Sequence, residues 1–182
     1  MVKILVEAKL EIPIASLTSG DNGLQTFLEE RVRYYFKDIR GFAYDEINAT
    51  TAAGWSNLVD LDARLVRIQN LRPTPDFEPL AASFKRIKNI LRQAAFQGGA
   101  DINPRLLEDG PEKELYLEYL GIAGQPIESV ISRLRPKVDL FFDKVLVNAP
   151  DPSVRQNRLT LLKGLLDEFS SIADFSEIVT NA

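Results

Sequence analysis

The chain has 182 residues, 45% of them hydrophobic and 26% charged, with a formal net charge of −4; that is enough to bury a core as one domain, or one domain plus a small appendage, without covalent staples. It has neither cysteine nor histidine, so disulfides and thiolate metal sites are excluded, and the commonest general base and zinc ligand are missing. The acidic balance argues against a general nucleic-acid binder, which carries a basic excess to displace phosphate counterions.

The chain opens on Val2 to Leu10, an apolar run interrupted by Lys3, Glu7 and Lys9. No run approaches the ~18 uninterrupted apolar residues of a membrane span, and a signal peptide is not credible, so a soluble chain in a cytoplasmic setting is expected. Ile4, Leu5 and Ala8 follow a helical pattern with no capping residue before them, which reads as a cut within or just before a helix of something larger. Residues 1–20 therefore read as a leading helix and linker from the preceding part of a parent chain, and residues 21–182 as the main domain.

Leu24, Phe27, Leu28, Val32, Tyr35, Phe36 and Ile39 recur at three and four residues and predict one face of a helix that Gly41 ends. A shorter helix from Asp45 follows, then one carrying Leu58, Leu61, Leu65 and Ile68 until Pro73 and Pro75 break it. That break could separate two subdomains, although a single packed unit is the expectation at this length. Asp76 is a cap for a helix with Phe77, Leu80, Phe84, Ile87, Leu91 and Ala94 at near-heptad spacing.

Gln97-Gly98-Gly99-Ala100 is a connector; Gly98-Gly99 lacks the strand before it and the lysine after it that a phosphate loop requires. A short helical turn is expected within 101–110, then helices over 112–120 and 127–134. Pro136 either kinks the chain or sits in the first turn of a helix carrying Val138, Phe141, Phe142 and Val145. The last helix starts at Asp151 as N-cap with Pro152 first, and its seam is Val154, Leu161, Leu165, Phe169 and Ile172. No segment alternates with period two between turn signals, so the expected fold is an all-α bundle of about seven to nine helices.

Charge is distributed unevenly. No acid lies between Glu78 and Asp101, where Lys85, Arg86, Lys88 and Arg92 fall; between Asp151 and Asp167 only Arg155, Arg158 and Lys163 are charged. On a helical wheel Lys85, Lys88 and Arg92 share one stripe, and Arg86, Asn89 and Gln93 another, a pairing of cations and amides suited to phosphates and base edges. The commoner fate of such a stripe is a solvated face. Arg158 lies on the apolar seam and needs an acid, for which Asp139 and Asp143 are the candidates; a register-fixing ion pair is favoured over RNA contact for it. Arg155 and Asn157, in the first turns, should be exposed and are better placed for contact. Tyr34, Tyr35, Tyr116, Tyr119 and Trp55 could stack on bases, but aromatics at helical spacing are more often core. Paired acids such as Asp60 and Asp62 carry no mechanism without a base or metal.

Several segments carry a resemblance. Arg135-Pro136-Lys137-Val138-Asp139-Leu140-Phe141-Phe142-Asp143-Lys144-Val145 leads through Asp151-Pro152 into Arg155-Gln156-Asn157-Arg158-Leu159-Thr160-Leu161-Leu162 and Ala173-Asp174-Phe175-Ser176. Upstream stand Val2 to Leu10, Phe27-Leu28-Glu29-Glu30-Arg31 with Gly41-Phe42, Asp45-Glu46-Ile47-Asn48-Ala49, Leu58 to Leu71 and Phe84 to Leu91. In this order they resemble the C-terminal end of the beta subunit of bacterial glycyl-tRNA synthetase, across nearly the whole chain. Two places depart from that pattern: Asn148-Ala149-Pro150 stands where methionine, alanine and an acid are usual, and Glu112 to Pro126 is short and glycine-rich.

The resemblance implies a DALR-like helical anticodon-binding domain over 21–182, which docks the anticodon arm of glycine tRNA. It implies no catalytic residue, no metal site and no cofactor in this chain; the parent enzyme, a glycine-tRNA ligase, uses ATP with magnesium. Implied partners are glycine tRNA, the alpha subunit and the remainder of the beta subunit, with no membrane and no DNA. The expected RNA-binding residues are Lys85, Arg86, Lys88, Asn89, Arg92, Arg155, Asn157 and Arg158, with the cations on phosphates and Asn89 and Asn157 on exposed bases. The competing expectation is a helical protein-interaction module that docks the alpha subunit or the rest of the beta subunit, for which Val2 to Leu10 is the first surface to inspect.

Overall fold

Apolar residues spaced at three and four give helices throughout. The structure, a computed structural model, describes residues 1–99 and 101–180. Among these, nine α-helices are the main elements: α1 (Val2–Glu7), α2 (Ile14–Thr18), α3 (Asn22–Tyr34), α4 (Tyr44–Ala52), α5 (Leu58–Leu71), α6 (Phe77–Gln93), α7 (Pro111–Leu120), α8 (Ile127–Lys144) and α9 (Pro152–Ser170). Short 3₁₀ turns cover Pro104–Leu106 and Phe175–Glu177. Ala100, the last residue of the expected connector, lies outside the described residues.

The chain divides into two units, Met1–Pro73 with Ser171–Val179, and Thr74–Ser170 with Thr180. The proline pair therefore marks a division, and the expectation of a single packed unit is corrected. Residues 1–20 belong with the first unit, because Val2, Leu5 and Val6 of α1 enter the same core as Leu58, Leu61 and Leu65 of α5.

In the first unit, the helix expected to run to Ile39 stops earlier. Asp21 caps α3, its carboxylate accepting from the Leu24 N–H at 3.0 Å. The helix then passes into a π-helical turn over Tyr35–Ile39, where the Arg40 N–H reaches the Tyr35 carbonyl at 3.0 Å. The wider turn buries Tyr35 and Phe36 side by side, ring edge to face with centroids 5.2 Å apart. Leu28 and Val32 join them, but Leu24, Phe27 and Ile39 stay exposed. The apolar arc of this helix is broader than its core can cover. Gly41 follows at φ +78°, a left-handed position that suits glycine and ends the element as expected.

A strap from far along the chain closes this unit. The Asp174 N–H donates to the Ala49 carbonyl at 2.8 Å, and Phe175 and Ile178 are buried. Arg64 donates to the carbonyls of Thr50 (3.1 Å), Gly54 (2.5 Å) and Ile172 (3.2 Å) and to Asp60 at 2.8 Å. It thereby satisfies carbonyls at and just beyond the C-terminus of α4 and ties in the strap. Arg72 makes two 2.8 Å hydrogen bonds to Asp45, whose carboxylate also accepts the Val179 N–H at 2.8 Å.

The second unit is built from sequence-adjacent helices. α6 packs on α8 and α9, and α7 on α8. Phe84 of α6 meets Phe169 of α9 edge to face at 4.9 Å, a geometry that adds about 0.5–1.5 kcal/mol to the burial itself. Asp76 occupies the cap position of α6, but its carboxylate faces Arg135 at 3.4 Å instead of capping. Pro136 neither starts nor breaks a helix: α8 runs through it. Pro136 and Ser132, whose carbonyl loses its partner there, are both exposed, so water can satisfy the freed group. Asp151 caps α9 as expected, accepting from Ser153 and Val154 N–H groups at 2.7 and 3.2 Å. Asn157 to Leu162 are buried without interruption, so the middle of α9 is enclosed on all sides rather than along one seam, while Arg155, Gln156, Asp167 and Glu168 towards its ends are exposed.

Candidate nucleic-acid interface

The eight expected RNA-binding residues all lie in the second unit and separate into two groups. Lys85, Arg86, Lys88 and Arg92 are exposed along α6, with Asn89 half-buried beside them. The core face of the same helix, Phe77, Leu80, Phe84, Ile87 and Leu91, fixes which way these cations point. Lys85 makes no ion pair among the described residues. Arg92 donates to the Asn89 amide oxygen at 3.1 Å, so these two form one polar pair on the surface.

Arg86 does more than stand in solvent. Its guanidinium carbon lies 4.1 Å from the ring centroid of Phe142, near the end of α8, a cation–π contact. The pair forms one wall of a cleft of about 530 Å³ that continues over Ile90, Lys144, Leu146 and Asn148, with Asp143 its one acidic residue. Phe142 reads from sequence as core, and nothing in the spacing marks Lys144. Their shared wall with Arg86 arises from how α6 and α8 pack, which no pattern within either helix reveals.

On α9 the expected residues behave differently. Arg155 is exposed, as predicted. Asn157 is only 4% exposed, which corrects its expected exposure: its amide oxygen accepts the Asn103 N–H at 2.7 Å and its amide nitrogen donates to the Asn103 carbonyl at 3.1 Å. Both faces of the amide are thus committed to a loop segment of the same unit. Arg158, 3% exposed, forms the ion pair its position demanded, but with other acids than expected. It binds Glu112, 1% exposed, through Nε at 3.1 Å and Nη2 at 2.8 Å, and Glu108 at 2.9 Å, rather than Asp139 or Asp143. Asp139 pairs instead with Arg135, one helical turn away, at 2.8 Å. Hydrogen bonding to Glu112 raises the Arg158 pKa despite burial, so the guanidinium stays charged. Its remaining nitrogen donates at 2.9 Å to the carbonyl of Leu146, in the loop that rims the cleft.

A second cleft of about 390 Å³ lies elsewhere in this unit, between Tyr116, Tyr119, Gly98, Gly99 and Lys163. Burial first, then the charges of Glu168 and Asp167, raise the Tyr119 pKa. Lys163 is already paired with Asp167 at 2.5 Å. The field here is negative, which suits a phosphate poorly. Of the other aromatics, Tyr35 is core, Trp55 packs against the core of the first unit, and Tyr34 is exposed on α3. Among the described residues no cluster of three or more acids could hold a metal ion, and no helix is long and apolar enough to cross a membrane.

No family model matches the chain. It is 39% identical to the glycine–tRNA ligase beta subunit of Acidobacterium capsulatum over 213 aligned residues, which cover 100% of this chain and 30% of that protein. The corresponding protein of Desulfatibacillum aliphaticivorans is 37% identical over 84% of this chain and 24% of its own length. That of Geobacter metallireducens is 40% identical over 75% and 21%. Homologues of this name thus cover the whole chain, and the chain spans less than a third of the length of each.

Proposed function

We propose that this chain is the part of a glycine–tRNA ligase beta subunit that holds the anticodon arm of glycine tRNA, a DALR-like helical domain within an enzyme that joins glycine to tRNA at the expense of ATP. The similarity along the whole chain supports the parent enzyme. The observation that carries the role is the stretch of α6 beyond Glu78, which holds no acid and where Lys85, Arg86, Lys88 and Arg92 are exposed beside the Arg86–Phe142 cleft. Lys85, Lys88, Arg92 and Arg155 hold phosphates; Asn89 offers its amide to a base edge. Arg158 acts from within, by fixing the Leu146 loop beside that cleft, and Asn157 fixes the Asn103 segment elsewhere in the unit. No residue here is assigned to ATP, magnesium or the ligation chemistry, which belong to other parts of the parent enzyme.

A salt titration of binding to glycine tRNA, beside a transcript with altered anticodon bases, tests the reading. Phosphate contacts give a steep fall of affinity with salt, and base reading gives a loss confined to the altered transcript. Unchanged affinity for Lys85→Glu/Arg92→Glu in low salt would remove α6 from the interface.

A second reading is favoured by one observation in the first unit: Leu24, Phe27 and Tyr34 of α3 are each at least 51% exposed on neighbouring stripes, with Arg31 5.0 Å from the Phe27 ring centroid. Met1, just before α1, and Ile4 within it are exposed too. Such a surface suits a protein partner, here the alpha subunit or the rest of the beta subunit. Retention of the alpha subunit by this chain without tRNA, abolished by Phe27→Ser, is the outcome that would establish it.

A further inference from the structure

The cleft between the end of α8 and α6 is built in a way that phosphate contacts along α6 do not require. Its wall joins a cation to an aromatic ring, Arg86 over Phe142 at 4.1 Å. Leu146, a large apolar side chain, faces solvent across it with 65% of its surface exposed. An exposed leucine in a mobile loop would need no explanation, but the backbone here is fixed. The Leu146 carbonyl is held by buried Arg158 at 2.9 Å, Arg158 is held by Glu112, and Ala149 just beyond is buried. The apolar side chain is thus presented on a pinned support.

Charge and size narrow the occupant. Arg86 and Lys144 outnumber the one acid, Asp143, and Lys144 makes no ion pair among the described residues. A volume of about 530 Å³ lies within the ordinary range of small-ligand sites. Guanidinium planes and aromatic rings are the surfaces on which unpaired bases stack, in a manner every base satisfies. The tyrosine cleft, with its negative field, offers the stack without the phosphate partner.

We infer that the Arg86–Phe142 cleft takes one unpaired nucleotide of single-stranded RNA, its base stacked between the Arg86–Phe142 wall and Leu146 and its phosphate beside Lys144. The inference rests on the RNA-binding reading above and adds to it a base-stacking site, with Arg158 as the residue that positions the loop. Asn148, at the rim, is the group able to meet a base edge.

The probe is a short single-stranded oligouridylate carrying one internal 2-aminopurine, whose fluorescence is quenched on stacking, titrated at low salt into the whole chain. Quenching at saturation is expected. Arg86→Gln and the surface variant Leu146→Ser, whose folding circular dichroism checks, each lose about five-fold to a hundred-fold in affinity, the range of one stacked base. Lys85→Glu weakens binding but keeps the quench at saturation, and adenosine monophosphate competes poorly. Absence of binding, binding without quenching, or wild-type affinity in both cleft variants would overturn the proposal. Competition by the free nucleotide as effective as by the oligonucleotide would make this a mononucleotide site and overturn the RNA assignment. Glycine tRNA bound equally by wild type and cleft variants, but weakly by Lys85→Glu/Arg92→Glu, would remove the cleft and leave the α6 reading standing.

Discussion

The two units solve the same problem, a helical core tied together by arginines, in different ways. In the first, Arg64 and Arg72 sit where distant segments meet: Arg64 gathers three backbone carbonyls, one of them from the strap, and Arg72 holds Asp45, which in turn holds Val179. In the second, Arg158 pairs with Glu112 inside a bundle of neighbouring helices. Arginine is used in one case to close a chain-remote connection and in the other to set a loop beside a surface. The surfaces diverge as well. The first unit leaves apolar side chains of α3 uncovered, whereas the second exposes the cations of α6.

Removing one partner of the Arg158–Glu112 pair should cost most, because the other charge stays buried. Glu112→Leu or Arg158→Met alone is expected to destabilise by about 3–5 kcal/mol, and the double replacement to recover most of that, as read from urea midpoints. If the double variant were as unstable as the singles, the pair would matter through packing rather than charge.

In the first unit the loss should be smaller, since Arg72 is partly solvated. Asp45→Asn is expected to cost about 2 kcal/mol at neutral pH, the scale of hydrogen bonds to a charged group, and the cost depends on pH. Burial alone would raise the Asp45 carboxyl, but the Arg72 hydrogen bonds and the Val179 and Glu46 N–H groups outweigh it and hold the pKa below the ordinary value. A depressed carboxyl contributes fully above its unfolded value, about 3.9, and loses that contribution as pH falls through the native value. The gap between wild type and Asp45→Asn should therefore begin to narrow as pH falls below about 4 and close only once pH has passed the lower native value. A gap that persisted into acid would show that Asp45 acts as a neutral hydrogen-bond acceptor.

These contrasts also mark what the sequence could reveal. Helix existence, the Pro73 break, the Gly41 terminus and the Asp151–Pro152 start are local, and each has a side chain or backbone preference that names it. Arg158 is legible as an ion-pair residue because a guanidinium on an apolar seam must be neutralised. Its partner is not, because Glu112 lies on another helix, and no spacing within either helix links the two. The exposure expected of Asn157 fails for a related reason: α9 is enclosed on every side from Asn157 to Leu162, so in its first turns only residues before Asn157, Arg155 among them, stay exposed. The π-helical turn at Tyr35–Ile39 breaks the assumption of one continuous helical period, and with it the burial of Ile39. Within the candidate interface, the α6 stripe can be counted from its own spacing, whereas the Arg86–Phe142 wall exists only once two helices pack.

On the basic surface, Lys85→Glu/Arg92→Glu should leave the urea midpoint within about 0.5 kcal/mol of wild type. Affinity for glycine tRNA should fall at low salt, and the slope of log affinity against log salt should flatten by about 0.7 to 0.9 for each phosphate that is no longer neutralised. A large loss of stability instead would mean that these cations answer acids within the fold, the ordinary fate of a basic stripe.

The smallest effect on stability is expected from the apolar face of the first unit. Leu24→Ser and Phe27→Ser remove exposed side chains that share α3 with the buried Leu28 and Val32 but do not enter the core. Leu24→Ser should therefore change the unfolding free energy, read from the urea midpoint, by no more than about 0.5 kcal/mol. Arg31 would lose its cation–π neighbour in Phe27→Ser, a contribution of about 0.5–1 kcal/mol at an exposed site, which sets an upper bound on the change. What should respond is association: if this face docks another part of the synthetase, capture of the alpha subunit falls while tRNA affinity stays constant, and the two units separate into a protein-facing and an RNA-facing half of one chain. If tRNA affinity falls with it, the stripe belongs to the RNA interface, and the division of partners between the units fails even though their folding remains distinct.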